Sequence, residues 1–363
     1  MRSVLHLAIA ATVIAAVPAA AAHSAPSPPI PQKPVFSYRA WISDSAGSTV
    51  VWWSGPDRIA TRGTRGQVFG ARTVVSGATE RSIFAAGEPG ALTRRRFVAS
   101  PDGFSLIDPL GAGVASLWAR HRAGRKVFAR ARIGRQQTLR ARVRVAANQC
   151  AGLRAGVRIF DLHRRTLLPL RIITQLRGEP RRIIRHRYSR INARQPRGAF
   201  APPRVGRGAF RRDDRFRRAA PRETVSHLGY LPSLPRDLPA GFRLKVTGWA
   251  PRGALLGAEG SIPPRPKMFG ALYTRGVERV DLTIRRAAPG DWPGPPLGRE
   301  CRPLSTAATT VSGVPATFGI SPEIPPHLYW RDGRLLYTLS GPFAKQTLRR
   351  IAESMKPVSG PAG

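Results

Sequence analysis

Val157-Arg158-Ile159-Phe160-Asp161, Leu167-Leu168-Pro169-Leu170-Arg171-Ile172-Ile173-Thr174-Gln175 and Ile183 to Ile191 are three apolar-rich runs that follow one another closely. Leu162-His163-Arg164-Arg165-Thr166 separates the first two, and Arg177-Gly178-Glu179-Pro180 the last two. β-Branched and aromatic residues fill the runs, and polar residues, Gly and Pro bound them, which predicts an antiparallel meander over residues 156–192. Upstream, Val127 to Ile133 and Leu139 to Val145 alternate apolar residues with arginine at period two. That is the pattern of half-buried strands with one face inward and one solvated. Further upstream, Val50-Val51-Trp52-Trp53 stops at Ser54-Gly55-Pro56-Asp57. Arg96-Phe97-Val98-Ala99 stops at Ser100-Pro101-Asp102-Gly103, and Phe104-Ser105-Leu106-Ile107 at Asp108-Pro109. Helical spacing is poor in this half, except for a short element around Gly113 to His121. Residues 36–192 thus read as one mainly antiparallel domain.

Downstream the pattern collapses. Residues 193–227 are dense in arginine, Gly, Pro and Ala, with Asp213, Asp214 and Glu223 as the only acids. Like charges at that density resist collapse, which predicts a flexible linker between domains. Attraction to an anionic membrane surface is the competing reading, although no apolar face accompanies the charge. A second domain is expected over 228–357. Its strands are placed at Phe242–Trp249, Met268–Thr274, Val277–Ile284, Ala316–Ile320, Leu328–Arg331 and Arg334–Leu339. Asp332-Gly333 supplies a hairpin turn between the last two. Phe343 to Met355 closes it as a helix, with Phe343, Leu348, Ile351 and Met355 near helical spacing. Residues 358–363 are a short tail.

The N-terminus carries an address. Met1-Arg2-Ser3 precedes an apolar run from Val4 to Val17, and Pro18 with Ala19-Ala20-Ala21-Ala22 suits signal-peptide cleavage after residue 22. The run falls short of the roughly 20 apolar residues of a bilayer span; an uncleaved anchor is the alternative. Residues 23–35 form a Pro-rich extended leader. The expected mature protein is soluble and periplasmic or otherwise extracytoplasmic.

The formal charge of +40 is almost all arginine, since only six of the 60 basic residues are lysine. Such a bias fits genomic composition as well as function, yet a cationic surface attracts polyanions. Export argues against nucleic acid, and no nucleic-acid-binding signature is present. Cys150 and Cys301 are the only cysteines. In an oxidising destination they form one inter-domain disulfide or remain two buried thiols in separate cores. No His-Glu-x-x-His, Gly-x-Ser-x-Gly or Cys-x-x-Cys motif occurs, and Gly111-Ala112-Gly113 lacks the setting of a dinucleotide loop. Asp102 and Asp108 belong to turn motifs. A non-enzyme without cofactor or metal is expected.

The order of these pieces resembles a known two-domain family. Trp52-Trp53-Ser54-Gly55-Pro56-Asp57-Arg58, Arg95-Arg96-Phe97, Asp102-Gly103-Phe104, Ala123-Gly124-Arg125 and the hairpin Ile159-Phe160-Asp161 … Leu167-Leu168-Pro169-Leu170-Arg171 resemble the N-terminal domain of the sigma-factor regulators RseB/MucB, itself LolA-like. Leu238-Pro239-Ala240-Gly241-Phe242, Leu272-Tyr273-Thr274-Arg275-Gly276-Val277 and the final Ile351-Ala352-Glu353-Ser354 are similar to the second RseB domain. The resemblance implies an α+β fold: a strongly curved antiparallel sheet, an unclosed barrel with covering helices, then a smaller α+β domain with a C-terminal helix. It also implies a partner, a membrane anti-sigma factor or related envelope protein, and lipid or lipoprotein acyl chains in an apolar cavity. Trp52, Phe97, Phe104, Phe128, Ile159, Leu170 and Ile172 are the candidates to line that cavity. A LolA-like lipoprotein carrier and an arginine-driven binder of polyanions or cell envelope are the alternatives.

Overall fold

The computed structural model describes residues 34–55, 58–76, 79–84, 91–95, 112–147, 154–204, 210–211, 216–250, 267–287, 305–320 and 325–359. The signal-peptide reading, Phe97, Phe104, Cys150 and Cys301 fall outside them.

The first unit opens with six strands, β1 (Ser37–Ser43), β2 (Gly47–Ser54), β3 (Arg58–Gly66), β4 (Arg72–Ser76), β5 (Thr79–Ile83) and β6 (Ala91–Arg95). Helix α1 (Ala112–Arg122) follows, then β7 (Ala129–Ile133), β8 (Gln136–Val145), β9 (Gly156–His163), β10 (Pro169–Leu176) and β11 (Arg182–Ser189). Two short strands, β12 (Phe210–Arg211) and β13 (Arg217–Arg218), and the turn of helix α2 (Val225–Leu228) lead into the second unit. It comprises β14 (Ser233–Pro235), β15 (Arg243–Ala250), β16 (Met268–Arg275), β17 (Glu278–Arg286), β18 (Ser305–Val311), β19 (Val314–Ile320), β20 (His327–Asp332), β21 (Leu335–Ser340), helix α3 (Lys345–Glu353) and β22 (Met355–Pro357).

The first sheet has twelve strands in the order β12-β6-β5-β4-β3-β2-β1-β11-β10-β9-β8-β7. All of its pairings are antiparallel except β12 on β6. Its two ends, β7 and β12, stay apart, so it is an unclosed sheet, as expected. The meander over 156–192 is its clearest part, with Ile172 opposite Phe160 and Ile184. β1 closes the middle by pairing with both β2 and β11. Cross-strand partners share a face. Tyr38, Ala40, Val51, Trp53, Leu139, Ala141, Phe160 and Leu162 therefore point inward, and α1 buries Val114, Leu117 and Trp118 among them.

The second sheet has eight strands, β13-β15-β16-β17-β21-β20-β19-β18, and is the smaller of the two. Phe269, Ala271 and Tyr273 on one face of β16 join the core under α3, with Leu348 and Ile351 from the helix. Met268 and Leu272, on its other face, belong to the core of the first unit together with Val35 and Phe216. Burial on both faces explains why Met268 to Tyr273 is uninterrupted by charge rather than alternating. The hairpin between β20 and β21 turns on Gly333-Arg334, one residue later than Asp332-Gly333, because Asp332 still pairs with Leu335. Gly333 takes the positive φ of 57° that the turn demands.

The arginine-rich stretch after residue 193 carries structure that its composition did not suggest. A 3-10 turn spans Arg197–Phe200, and Arg72 donates to the Ala201 carbonyl at 2.7 Å. β12 joins an edge of the first sheet and β13 an edge of the second, with Phe216 buried between them in sequence. The end of the leader is likewise held: Asn192 accepts from the Phe36 amide at 2.6 Å and donates to the Pro34 carbonyl at 3.0 Å.

Candidate functional site

Two features stand out where the sheets meet. The first is a latch built on Arg122, the last residue of α1. Its guanidinium donates to the Pro342 carbonyl at 2.6 Å and pairs with Glu278 at the start of β17. It lies 5.5 Å from the Trp118 ring and 4.9 Å from that of Phe343. Glu278 is 5% exposed and its other oxygen takes Arg275 at 2.7 Å. A charge pair so desolvated is costly to break from one side. The latch ties α1 to the second sheet.

Beside it opens a cavity of about 690 Å³. One wall is α1 and its exit turn, with Leu117 and Arg120. β8 and β9 supply Val143 and Phe160. The far wall comes from the second unit: Ala307 on β18, Phe318 on β19, and Ala344 with Lys345 where α3 begins. β7 pairs with β8 only as far as Arg140, so the cavity reaches the strand where Arg142, Val143 and Arg144 lack a partner on that side among the described residues. Carbon dominates the interior. Arg120, Arg125, Arg142, Arg144 and Lys345 set a cationic rim, and no carboxylate of the described residues lines it. A space of this size and lining suits an apolar group carrying a negative head.

The residues expected to line a cavity are distributed differently. Phe128 is buried in the first core, edge-on to His121 at 5.4 Å between ring centroids. Ile172 packs against that same core from the inward face. Leu170 sits at an irregularity of the β9–β10 register, between Pro169 and Arg171. Trp52 and Ile159 lie on the outward face, as their partners Arg39 and Arg142 show. None of the five touches the 690 Å³ cavity, although Ile159's neighbour Phe160 does. What reading the sequence missed is the contribution of the second unit. The alternation Arg142-Val143-Arg144 was the one available signal, and it reads equally well as a solvated face.

Outside the cavity, Asp161 is fully buried and accepts from Arg140 at 2.7 Å and Arg171 at 2.8 Å. The bond to Asp161 in turn holds the Arg140 guanidinium above its usual pKa. His186 and His327 are both pushed down to about 4 by burial. Among the described residues, no group of three or more His, Cys, Asp or Glu side chains is placed to hold a metal. No helix of the described residues is long and apolar enough to cross a membrane.

No family model and no curated protein matches the chain. Among solved structures it is similar to a crystal structure of MucB at 13% identity, covering 90% of this chain and 93% of that one, with a TM-score of 0.31. The complex of Pseudomonas aeruginosa MucA and MucB aligns at 11% identity over 90% of this chain and 94% of that one, with a TM-score of 0.28. MucB in complex with periplasmic MucA aligns at 13% identity over the same shares, 90% and 94%, with a TM-score of 0.27.

Proposed function

We propose that this chain is an exported, non-catalytic regulator that holds the acyl part of a lipid or lipoprotein in the junction cavity. Through that ligand it adjusts its grip on the outer-facing part of a membrane anti-sigma factor or related envelope protein. The observation that carries the reading is the make-up of the cavity, whose walls come from both units, taken as 36–192 and 228–357. A ligand there touches both sheets at once, beside the Arg122–Glu278 latch. Occupancy can then favour one arrangement of the units over another, to the extent that the ligand binds the two arrangements unequally. A simple carrier would need only the first sheet. The partner class follows from the resemblance of the sequence; the two-sided make-up of the cavity supports the ligand half of the reading.

The test is native mass spectrometry of protein purified without detergent, together with partner capture from crosslinked cells. Bound acyl species are expected, and Ala307→Trp, which pushes a bulky ring into the cavity from the exposed edge strand β18, should reduce them. An empty protein that also ignores added phospholipid overturns the ligand half. Recovery of the chain alone from crosslinked cells overturns the regulator half.

A further inference from the structure

The outward face of β8 to β11 is a second surface, separate from the cavity interior. Cross-strand pairing places Arg185, Arg171, Asp161 and Arg140 in one row across the four strands. Ile183, Ile173, Ile159 and Arg142 form the next row, and Arg144 extends it along β8. Arg187 lies on the same face of β11, opposite Trp41 of β1. Six arginines therefore share the face with a single acid. That acid is spent: Asp161 is buried and held by Arg140 and Arg171. Arg142, Arg144, Arg185 and Arg187 are exposed, with no ion pair among the described residues.

We propose that this face docks on an anionic lipid surface. Uncompensated charge on a rigid sheet attracts any polyanion. The apolar content decides between occupants. Ile159 and Ile183, partly exposed on either side of the buried Ile173, lie between the arginines, and Trp41 stands at the border with the Arg39 guanidinium 4.2 Å from its ring. Tryptophan and arginine stems that snorkel past aliphatic surface suit the headgroup boundary of a membrane, where one end of each side chain is apolar and the other wet. A soluble polymer would gain nothing from them. The arginine-rich linker is not required, nor is any occupant of the cavity.

The experiment is co-sedimentation of the full chain with vesicles of phosphatidylglycerol and phosphatidylcholine in equal parts, against phosphatidylcholine alone. Binding to the anionic vesicles is expected, weakening steeply as salt rises from about 0.01 to 0.15 M. Arg142 and Arg144 also reach the cavity rim, so the diagnostic variant uses β11. Arg185→Gln with Arg187→Gln should lower partitioning roughly thirty-fold. Arg331→Gln with Arg334→Gln, exposed on the hairpin of the second sheet, should stay near wild type. Trp41→Ala should weaken vesicle binding while leaving heparin binding unchanged. Equal losses from both arginine pairs, heparin binding as tight as vesicle binding, or indifference to phosphatidylglycerol would each overturn the proposal; unchanged far-ultraviolet circular dichroism shows that every variant has folded.

Discussion

The two sheets solve the same burial problem in opposite ways. The first covers one face with α1 and leaves much of the other to arginine, so β8 reads as a strict alternation with Leu139, Ala141 and Val143 buried. The second is buried on both sides: Phe269, Ala271 and Tyr273 of β16 share one core with Leu348 and Ile351 of α3, Met268 and Leu272 join the core of the first unit, and every residue from Met268 to Thr274 is buried. A strand covered on one face can afford charge at every second position, whereas one covered on both cannot. The sharpest way to break the comparison is to remove one apolar side chain from each. Phe269→Ala should cost about 3–5 kcal/mol, the range for emptying a fully buried aromatic site. Ile159→Ala, half-buried on the outward face of the first sheet, should cost nearer 1 kcal/mol. Denaturant titration reads both. Equal losses would mean that the outward face is as well covered as β16.

The second test addresses how far the units depend on one another. Arg122→Ala removes the cation that joins α1 to Glu278, while Arg275 still meets that carboxylate. The remaining partner limits the damage, so the expected loss is about 2–3 kcal/mol, at or below the lower end for breaking a buried pair. Because the lost contact spans the sheets, the unfolding transition should split or broaden relative to wild type, which Ile159→Ala would not cause. A sharp transition shifted only in midpoint would show that the shared core around Met268, Leu272 and Val35 holds the units together without the latch.

The contrast also explains what the sequence made legible. Period-two alternation identified β7 and β8, and the meander β9–β10–β11 emerged with nearly its observed ends, because a half-solvated strand writes its pattern in its own residues. β16 was found from unbroken apolar content, and β17 from Val280, Leu282 and Ile284 alternating with polar residues. β1 and β3 were not identified: Arg39 interrupts Tyr38-Ala40-Trp41 and Ala60-Thr61-Arg62-Gly63 has little apolar content, and β1 is held by pairing with β2 and β11, β3 by pairing with β2 and β4. β18, with Ser305 to Val311, hid for the same reason at a sheet edge. The cavity was least legible. Its walls combine Leu117, Val143, Phe160 and Phe318, which only tertiary packing brings together, and no local spacing encodes that meeting.

A last, smaller effect compares one histidine from each sheet. His327 is fully buried, its Nδ1 donates to the Pro325 carbonyl at 2.9 Å, and its Nε2 has no hydrogen-bond partner among the described residues. A methyl placed on Gly319 would come within 2.4 Å of that Nε2, so the pocket is closed around a neutral ring. Burial holds its pKa near 4, against 6.5 for an ordinary histidine. The sign follows directly. Between those values the unfolded chain binds a proton that the folded chain refuses, so stability is complete above about pH 6.5 and falls as acid is added. At pH 5 the loss from this one group should reach about 2 kcal/mol. His186, on the inward face of the first sheet, has a similar shift and also lacks a partner at Nε2 among the described residues, so the wild type carries both contributions. His327→Asn keeps a donor for the Pro325 carbonyl and cannot titrate. Its stability should fall less than wild type between pH 7 and 5, the difference isolating His327 from His186 and the carboxylates. Parallel pH profiles for the two proteins would mean that the second sheet admits a proton at His327 without opening, and that its double cover is looser than the packing of β16 implies.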